Sequence, residues 1–233
     1  VADAPRGGRV DERDRVGRVE REVAVEGEQR LRADAGPGGL AALFAGNDVD
    51  AIVELLGALA AGVPVMLLDR ALDPTLAAGV LARYRPEVVR GRAGAAPGGG
   101  TAPHPALALL LSTSGSTGSG KLVRLSAAAV LANARAIAAA LALGLGAVAP
   151  TSLPLHYAYG LSVVTSHLAA GATVLVTDAG LVTDEFWAAC RRHGATSLAG
   201  VPYSYQVLRR LDLARLAPTS SPNPPRLIVV VAI

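Results

Sequence analysis

The sequence predicts an α/β protein: mainly parallel sheets with helices on both faces, forming an incomplete large domain. Three observations carry this expectation. Short runs that are apolar throughout, such as L-A-A-L-F-A (40–45) and V-P-V-M-L-L-D (63–69), alternate with longer stretches of helical periodicity. Strands buried on both faces of a parallel sheet read in this continuous way, whereas half-exposed antiparallel strands alternate. The chain is also 51% hydrophobic but only 3% aromatic, so its core must be built from Ala, Val and Leu. Its 233 residues suffice for one large domain or for part of a bigger one.

Residues 1–38 read as a charged segment, disordered or poorly packed, because 1–32 hold eight arginines and eight acidic residues with few large apolar groups. The partial domain is expected over 39–233, after the G-P-G-G at 36–39. A strand at 40–45 leads to a helix with Asp48 as its N-cap and Gly62 as its stop. A strand at 63–69 and a helix at 73–84 with proline in its first turn come next. Residues 93–105, rich in Gly and Pro, read as a flexible connector. A strand at 106–111 then runs into a Ser/Thr/Gly loop, and an Ala-rich helix is expected at about 126–143. Beyond it lie a loop at 153–160, a helix near 161–170 and a strand at 172–177. The last expected elements are a helix at 183–193, a strand at about 195–202, a helix at about 203–216 and a final strand at 226–233.

Bulk properties exclude several classes. A formal charge of +3 and the lack of a basic, aromatic-interleaved run argue against nucleic acid as a partner. The single Cys190 excludes an internal disulfide framework and fits a reducing compartment. No signal peptide is visible and no transmembrane segment is expected, since no apolar run reaches the ~18–20 residues needed to span a bilayer. A cytoplasmic protein is the expectation. His167 and His193 read as structural, their spacing suggesting no metal site.

The stretch S-T-S-G-S-T-G-S-G-K-L (112–122) carries the chemistry. From Gly115 it has the G-x-x-x-x-G-K spacing of a nucleotide-hydrolase P-loop. That loop needs Ser or Thr after its lysine to hold Mg²⁺, and Leu122 stands there instead. From Thr113 the same residues form a hydroxyl-rich cradle whose N–H and O–H groups can crowd phosphate oxygens. Lys121, the only lysine of the chain, closes it with a compact positive charge.

Read this way, T-S-G-S-T-G-S-G-K followed by L-V-R-L-S resembles the phosphate loop of the AMP-forming synthetase and ligase superfamily. That superfamily holds acyl-CoA synthetases, the adenylation domains of peptide synthetases, and luciferases. Gly120 departs from the proline usual there, and Ala127 from a histidine after Ser126. The stretch L-P-L-H-Y-A-Y-G-L-S (153–162) resembles the superfamily's next motif. H-L-A-A-G-A-T-V-L-V-T and L-A-G-V-P-Y-S-Y-Q-V-L resemble its subsequent stretches, in the same order.

The resemblance implies ATP-dependent activation of a carboxylic acid as acyl-AMP. Mg²⁺ would accompany the phosphates, and coenzyme A or a phosphopantetheine carrier would receive the acyl group. It implies that Thr113, Ser114, Gly115, Ser116, Thr117, Gly118 and Lys121 grip the phosphates. Lys121 and Tyr157 become the catalytic candidates. His156, Tyr157, Gly160, Gly200, Val201 and Pro202 would border the acyl and adenylate pockets. The superfamily's later aromatic-Gly-x-Thr-Glu motif and its C-terminal adenylation lysine do not occur in these 233 residues. The chain alone is therefore expected to be an inactive fragment. A P-loop NTP-binding protein and a non-catalytic remnant stand as the alternatives.

Overall fold

The computed structural model describes residues 28–29, 31–36, 38–94, 96–112, 122–210 and 226–228. The expected loop residues from Thr113 to Lys121 lie outside them, as do residues 1–27 and the end of the chain after 228.

The first sheet holds five strands, β1 (Ala41–Ala45), β2 (Val65–Asp69), β3 (Val88–Arg90), β4 (Leu107–Ser112) and β5 (Leu122–Ser126), in the order β3-β1-β2-β4-β5. The first four run parallel; β5 pairs antiparallel with β4. Helix α1 (Val49–Ala61) links β1 to β2, and α2 (Pro74–Tyr84) links β2 to β3.

Both helices start where side-chain chemistry dictates. Asp48 Oδ1 accepts the Ala51 N–H at 2.9 Å, and Asp73 Oδ1 accepts from Thr75 and Leu76. Gly62, at φ +66°, closes α1 in the left-handed region that favours glycine.

Successive strand residues feed opposite faces. Leu43, Val65, Leu67, Leu109 and Leu111 join Leu55 and Ala58 of α1 in one cluster. Ala42, Phe44, Met66, Leu68 and Leu110 join Ala77 of α2 in another. This two-faced burial is why the strands read as unbroken apolar runs. The first cluster also takes in Leu31 and Ala35 from a helical stretch at 31–35, and Asp34 pairs with Arg90. That part of the charged segment packs because Leu31, 1% exposed, supplies the apolar anchor that the preceding residues lack.

The remaining strands are β6 (Val148–Pro150), β7 (Thr173–Leu175), β8 (Ser197–Ala199) and β9 (Arg226–Ile228). They form the parallel pairs β6–β7 and β8–β9. Thr196 ties the pairs together, donating its N–H to the Val148 carbonyl while its hydroxyl accepts the Val148 N–H. Helices α3 (Ala127–Ala140), α4 (Ala158–Ala169), α5 (Asp184–Arg192) and α6 (Pro202–Leu208) complete the described elements. Among the described residues no helix is long and apolar enough to cross a membrane.

Several boundaries differ from the sequence expectation. β3, β5 and β6 are additional to it; two are three residues long, and β5 comes so soon after the loop lysine that it reads as part of the loop. Helix α4 begins at Ala158 rather than near 161, which moves Tyr159 and Gly160 from the loop into the helix. Helix α6 ends at Leu208, and residues 211–216 of the expected helix lie outside the described residues.

Cys190 sits on α5 among Phe186, Trp187, Ala195, Leu198 and Leu208, and burial pushes its thiol up to about 11. Only the thiolate is a good nucleophile. At pH 8 the native chain should therefore react with a disulfide reagent far more slowly than the urea-unfolded chain. Equal rates in a thiol titration would contradict this burial.

Candidate active site

Parallel strands deliver their C-terminal ends to one edge of a sheet, and in open α/β sheets ligands bind there. Here Ala45 pairs with Asp69, and Leu67 with Leu111, so β1, β2 and β4 end at the same level. Asn47, Asp48, Asp69 and Arg70 all lie at this edge, where β4 ends at Ser112. Strand β5 begins at Leu122, which pairs with Ser112. Arg70 forms an ion pair with Asp48 at 2.6 Å across the ends of β2 and α1.

The strand after Lys121 decides between the two loop readings. A hydrolase P-loop passes directly from strand to helix, so that the helix N-terminus faces the phosphates. In this chain a five-residue antiparallel strand intervenes, and α3 starts only at Ala127. The hydrolase arrangement of strand, loop and helix is not the one built here.

The second wall of the site is the loop 151–157, which hangs between the two halves of the fold. Asn47 holds it from the first sheet. Its Nδ2 donates to the carbonyls of Thr151 and Leu153 at 2.8 and 3.2 Å, and its Oδ1 accepts the Leu155 N–H at 2.9 Å. From the second half, the Thr151 hydroxyl donates to the Thr177 carbonyl and the Ser152 hydroxyl to the Ala199 carbonyl. The loop is therefore anchored beside β1, β7 and β8 at once. His156 rides on it with Nε2 3.7 Å from Asp69 Oδ2, while its buried Nδ1 has no hydrogen-bond partner.

Tyr157 is the N-cap of α4, in extended backbone and with no side-chain cap bond, so its ring is free of a capping role. Gly160 sits against the loop: a Cβ there would lie 2.1 Å from the Pro154 carbonyl oxygen. Gly200, Val201 and Pro202 come directly after β8 and open α6. A Cβ on Gly200 would meet Ser204 Cβ at 3.0 Å, and Ser204 Oγ accepts the Val201 N–H at 3.2 Å.

Of the expected pocket residues, Val201 packs in one cluster with residues of α4 and β8. Tyr159 and Val201 pack on one cluster with Ala149, Leu153, Val163 and Ala199. Burial first, and then the neighbouring Tyr159, raise the Tyr205 hydroxyl above its ordinary range. The expected phosphate-gripping residues Thr113, Ser114, Gly115, Ser116, Thr117, Gly118 and Lys121 lie outside the described residues; only their two anchors, Ser112 and Leu122, are placed. Sequence reasoning missed Asn47, Thr151, Ser152 and Asp69. An Asn in a G-N-D turn directly after a strand was the available signal for Asn47, since Asx side chains bond backbone at such ends.

With this geometry in place, the comparison with known families is specific. The family model described as AMP-binding enzyme matches residues 91–231, more than half of the chain. The chain belongs to the AMP-binding enzyme family.

Among curated proteins none matches. Solved structures do. The N-terminal domain of FACL13 from Mycobacterium tuberculosis superposes with a TM-score of 0.76 at 18% identity, over 91% of this chain and 62% of that one. ATP-bound MatB from Rhodopseudomonas palustris gives 0.62 at 23% identity, over 82% and 45%. A malonyl-CoA ligase with methylmalonyl-CoA and AMP bound gives 0.63 at 25% identity, over 81% and 44%. The chain thus spans 62% or less of these structures. Its likeness to them is that of the N-terminal domain of adenylate-forming enzymes.

Proposed function

We propose that this AMP-binding domain takes part in ATP-dependent activation of a carboxylic acid as acyl-AMP, with subsequent transfer to a thiol of coenzyme A or a phosphopantetheine arm. One observation carries the reading. Strand β4 ends at Ser112 beside β2, whose Asp69 lies 3.7 Å from His156, and the Ser/Thr/Gly stretch with the only lysine follows Ser112 in the sequence.

In the proposed reaction the acid's carboxylate oxygen bonds to the α-phosphorus as the bond to the bridging oxygen breaks, and pyrophosphate leaves with its electron pair. Loop hydroxyls and N–H groups, together with Lys121, would hold the β- and γ-phosphates as charge develops on them. Tyr157 and Gly160 would border the acid, and Gly200, Val201 and Pro202 the adenylate. Among the described residues no three His, Cys, Asp or Glu are placed to hold a metal ion. Mg²⁺ would arrive with the nucleotide, and no step is assigned to it.

The test uses α,β-methylene-ATP, which cannot be cleaved at the reacting bond. Lys121→Ala should weaken its binding by about tenfold or more, the loss of a charge-assisted contact to phosphate. Unchanged affinity would overturn the role of the loop. ATP–pyrophosphate exchange should be absent from the 233-residue chain. An exchange signal would contradict the proposal that these residues alone are inactive, and steady release of orthophosphate from ATP would contradict adenylation.

A further inference from the structure

A half-open cleft runs along α4 from Ala158 to Ser166, with further walls from α3, β6 and β8. At 1.5 Å per residue, that stretch of helix is about 12 Å long. The cleft adjoins the candidate site in the chain: Ala158 and Tyr159 follow Tyr157 directly, and Ala199 directly precedes Gly200. Ile137, Leu141, Val163 and Leu198 supply its apolar surface.

The polar groups of the wall are already committed. A hydroxyl has one proton to give. Those of Ser162, Ser166 and Ser197 go to the carbonyls of Ala158, Val163 and Val148. His167 turns Nδ1 to the Val163 carbonyl oxygen at 2.8 Å, while its Nε2 and the Tyr159 hydroxyl are shut off from solvent. Among the described residues of the wall none is Asp, Glu, Lys or Arg. No side chain there therefore offers a guest either a charge or a proton. An apolar group placed in the cleft gains by leaving water. A carboxylate gives up its hydration and meets no partner.

We propose that the acid activated at this site carries an uncharged, apolar tail that lies in the cleft along α4, and that an acid with a second carboxylate at its tail end is refused. The proposal rests on the adenylation reading for the reacting carboxylate; the chemistry of the cleft stands apart from it. The selection is by polarity, not by length.

The experiment titrates three probes into the full chain without nucleotide: toluene, hexanoate and adipate. Adipate differs from hexanoate by a carboxylate in place of the terminal methyl, so it must carry a charge into the cleft. Two-dimensional ¹H–¹³C spectra of the methyl groups follow the binding. Expected are shifts at Ile137, Leu141, Val163 and Leu198 with toluene and with hexanoate, and an affinity for adipate lower by at least about tenfold. Adipate bound as tightly as hexanoate, shifts confined to other parts of the chain, or no binding of hexanoate would overturn the proposal. Toluene needs neither carboxylate nor phosphate, so its place in the cleft is read independently of adenylation. Failure here leaves the nucleotide test untouched, and loss of nucleotide binding leaves the cleft result standing.

Discussion

Gly160→Ala is expected to destabilise the chain by about 3 kcal/mol, read as a lower urea midpoint at unchanged slope. The reason is space. A Cβ at 160 would stand 2.1 Å from the Pro154 oxygen, 2.8 Å from its carbonyl carbon and 2.9 Å from the Leu153 oxygen. All three are backbone atoms, so no side chain can swing aside. The loop cannot retreat as a unit either, because Asn47 holds Leu153 and Leu155 on the far side. Either α4 gives up its place in the cluster of Leu55 and Leu111 or the loop gives up its anchors. Both disturb the setting of His156 and Tyr157.

A matched control sits on α2. Gly79 is exposed and helical, and a Cβ there meets nothing within 4 Å. Gly79→Ala should therefore stabilise by roughly 0.5–1 kcal/mol through helix propensity and unfolded-state entropy. Opposite signs for the two Gly→Ala changes would tie the cost at Gly160 to the Pro154 contact. Similar small effects at both would mean that α4 does not lie against the loop.

Asn47→Ala is expected to cost a comparable ~3 kcal/mol, from three hydrogen bonds worth about 1 kcal/mol each. Those bonds join the first sheet to the loop 151–157, so their loss should also free His156 from Asp69. Asn47→Asp separates hydrogen bonding from shape. The carboxylate can still accept the Leu155 N–H but offers no donor to the Thr151 and Leu153 carbonyls, and it faces both with negative charge. It should be at least as unstable as the alanine variant. An aspartate variant as stable as the wild type would show that the two carbonyls do not depend on Asn47.

The parts of this architecture that were legible in the sequence share a local cause. β1, β2 and β4 read as continuous apolar runs because both faces of each are covered. Helices α1 and α2 carry their caps, Asp48 with Gly62 and Asp73 with Pro74, in the sequence itself. β3, β5 and β6 were not legible. Val88–Arg90 and Val148–Pro150 are too short to show a period, and they are strands because neighbouring strands supply their hydrogen bonds. Leu122–Ser126 looks like the tail of a loop, although its pairing with β4 is what separates this loop from the hydrolase type.

For the candidate site, motif resemblance proposes His156, Tyr157, Gly160 and Gly200 to Pro202. For Asn47 only its place in a turn after a strand was legible; its three partners lie more than a hundred residues along the chain. His167 reads as structural because its spacing suggests no metal site, and in the fold it is buried on α4 with Nδ1 2.8 Å from the Val163 carbonyl oxygen.

We propose that nucleotide phosphates are held at residues 113–121, which follow the C-terminal end of β4 at Ser112. Mapping backbone amide shifts while titrating Mg·α,β-methylene-ATP tests it most directly. The largest changes are predicted on Ser112 to Leu122, with smaller ones at Asn47, Asp69, Arg70 and residues 155–157, and none at Cys190 on α5. Shifts centred on another face of the sheet, or none at saturating nucleotide, would contradict it.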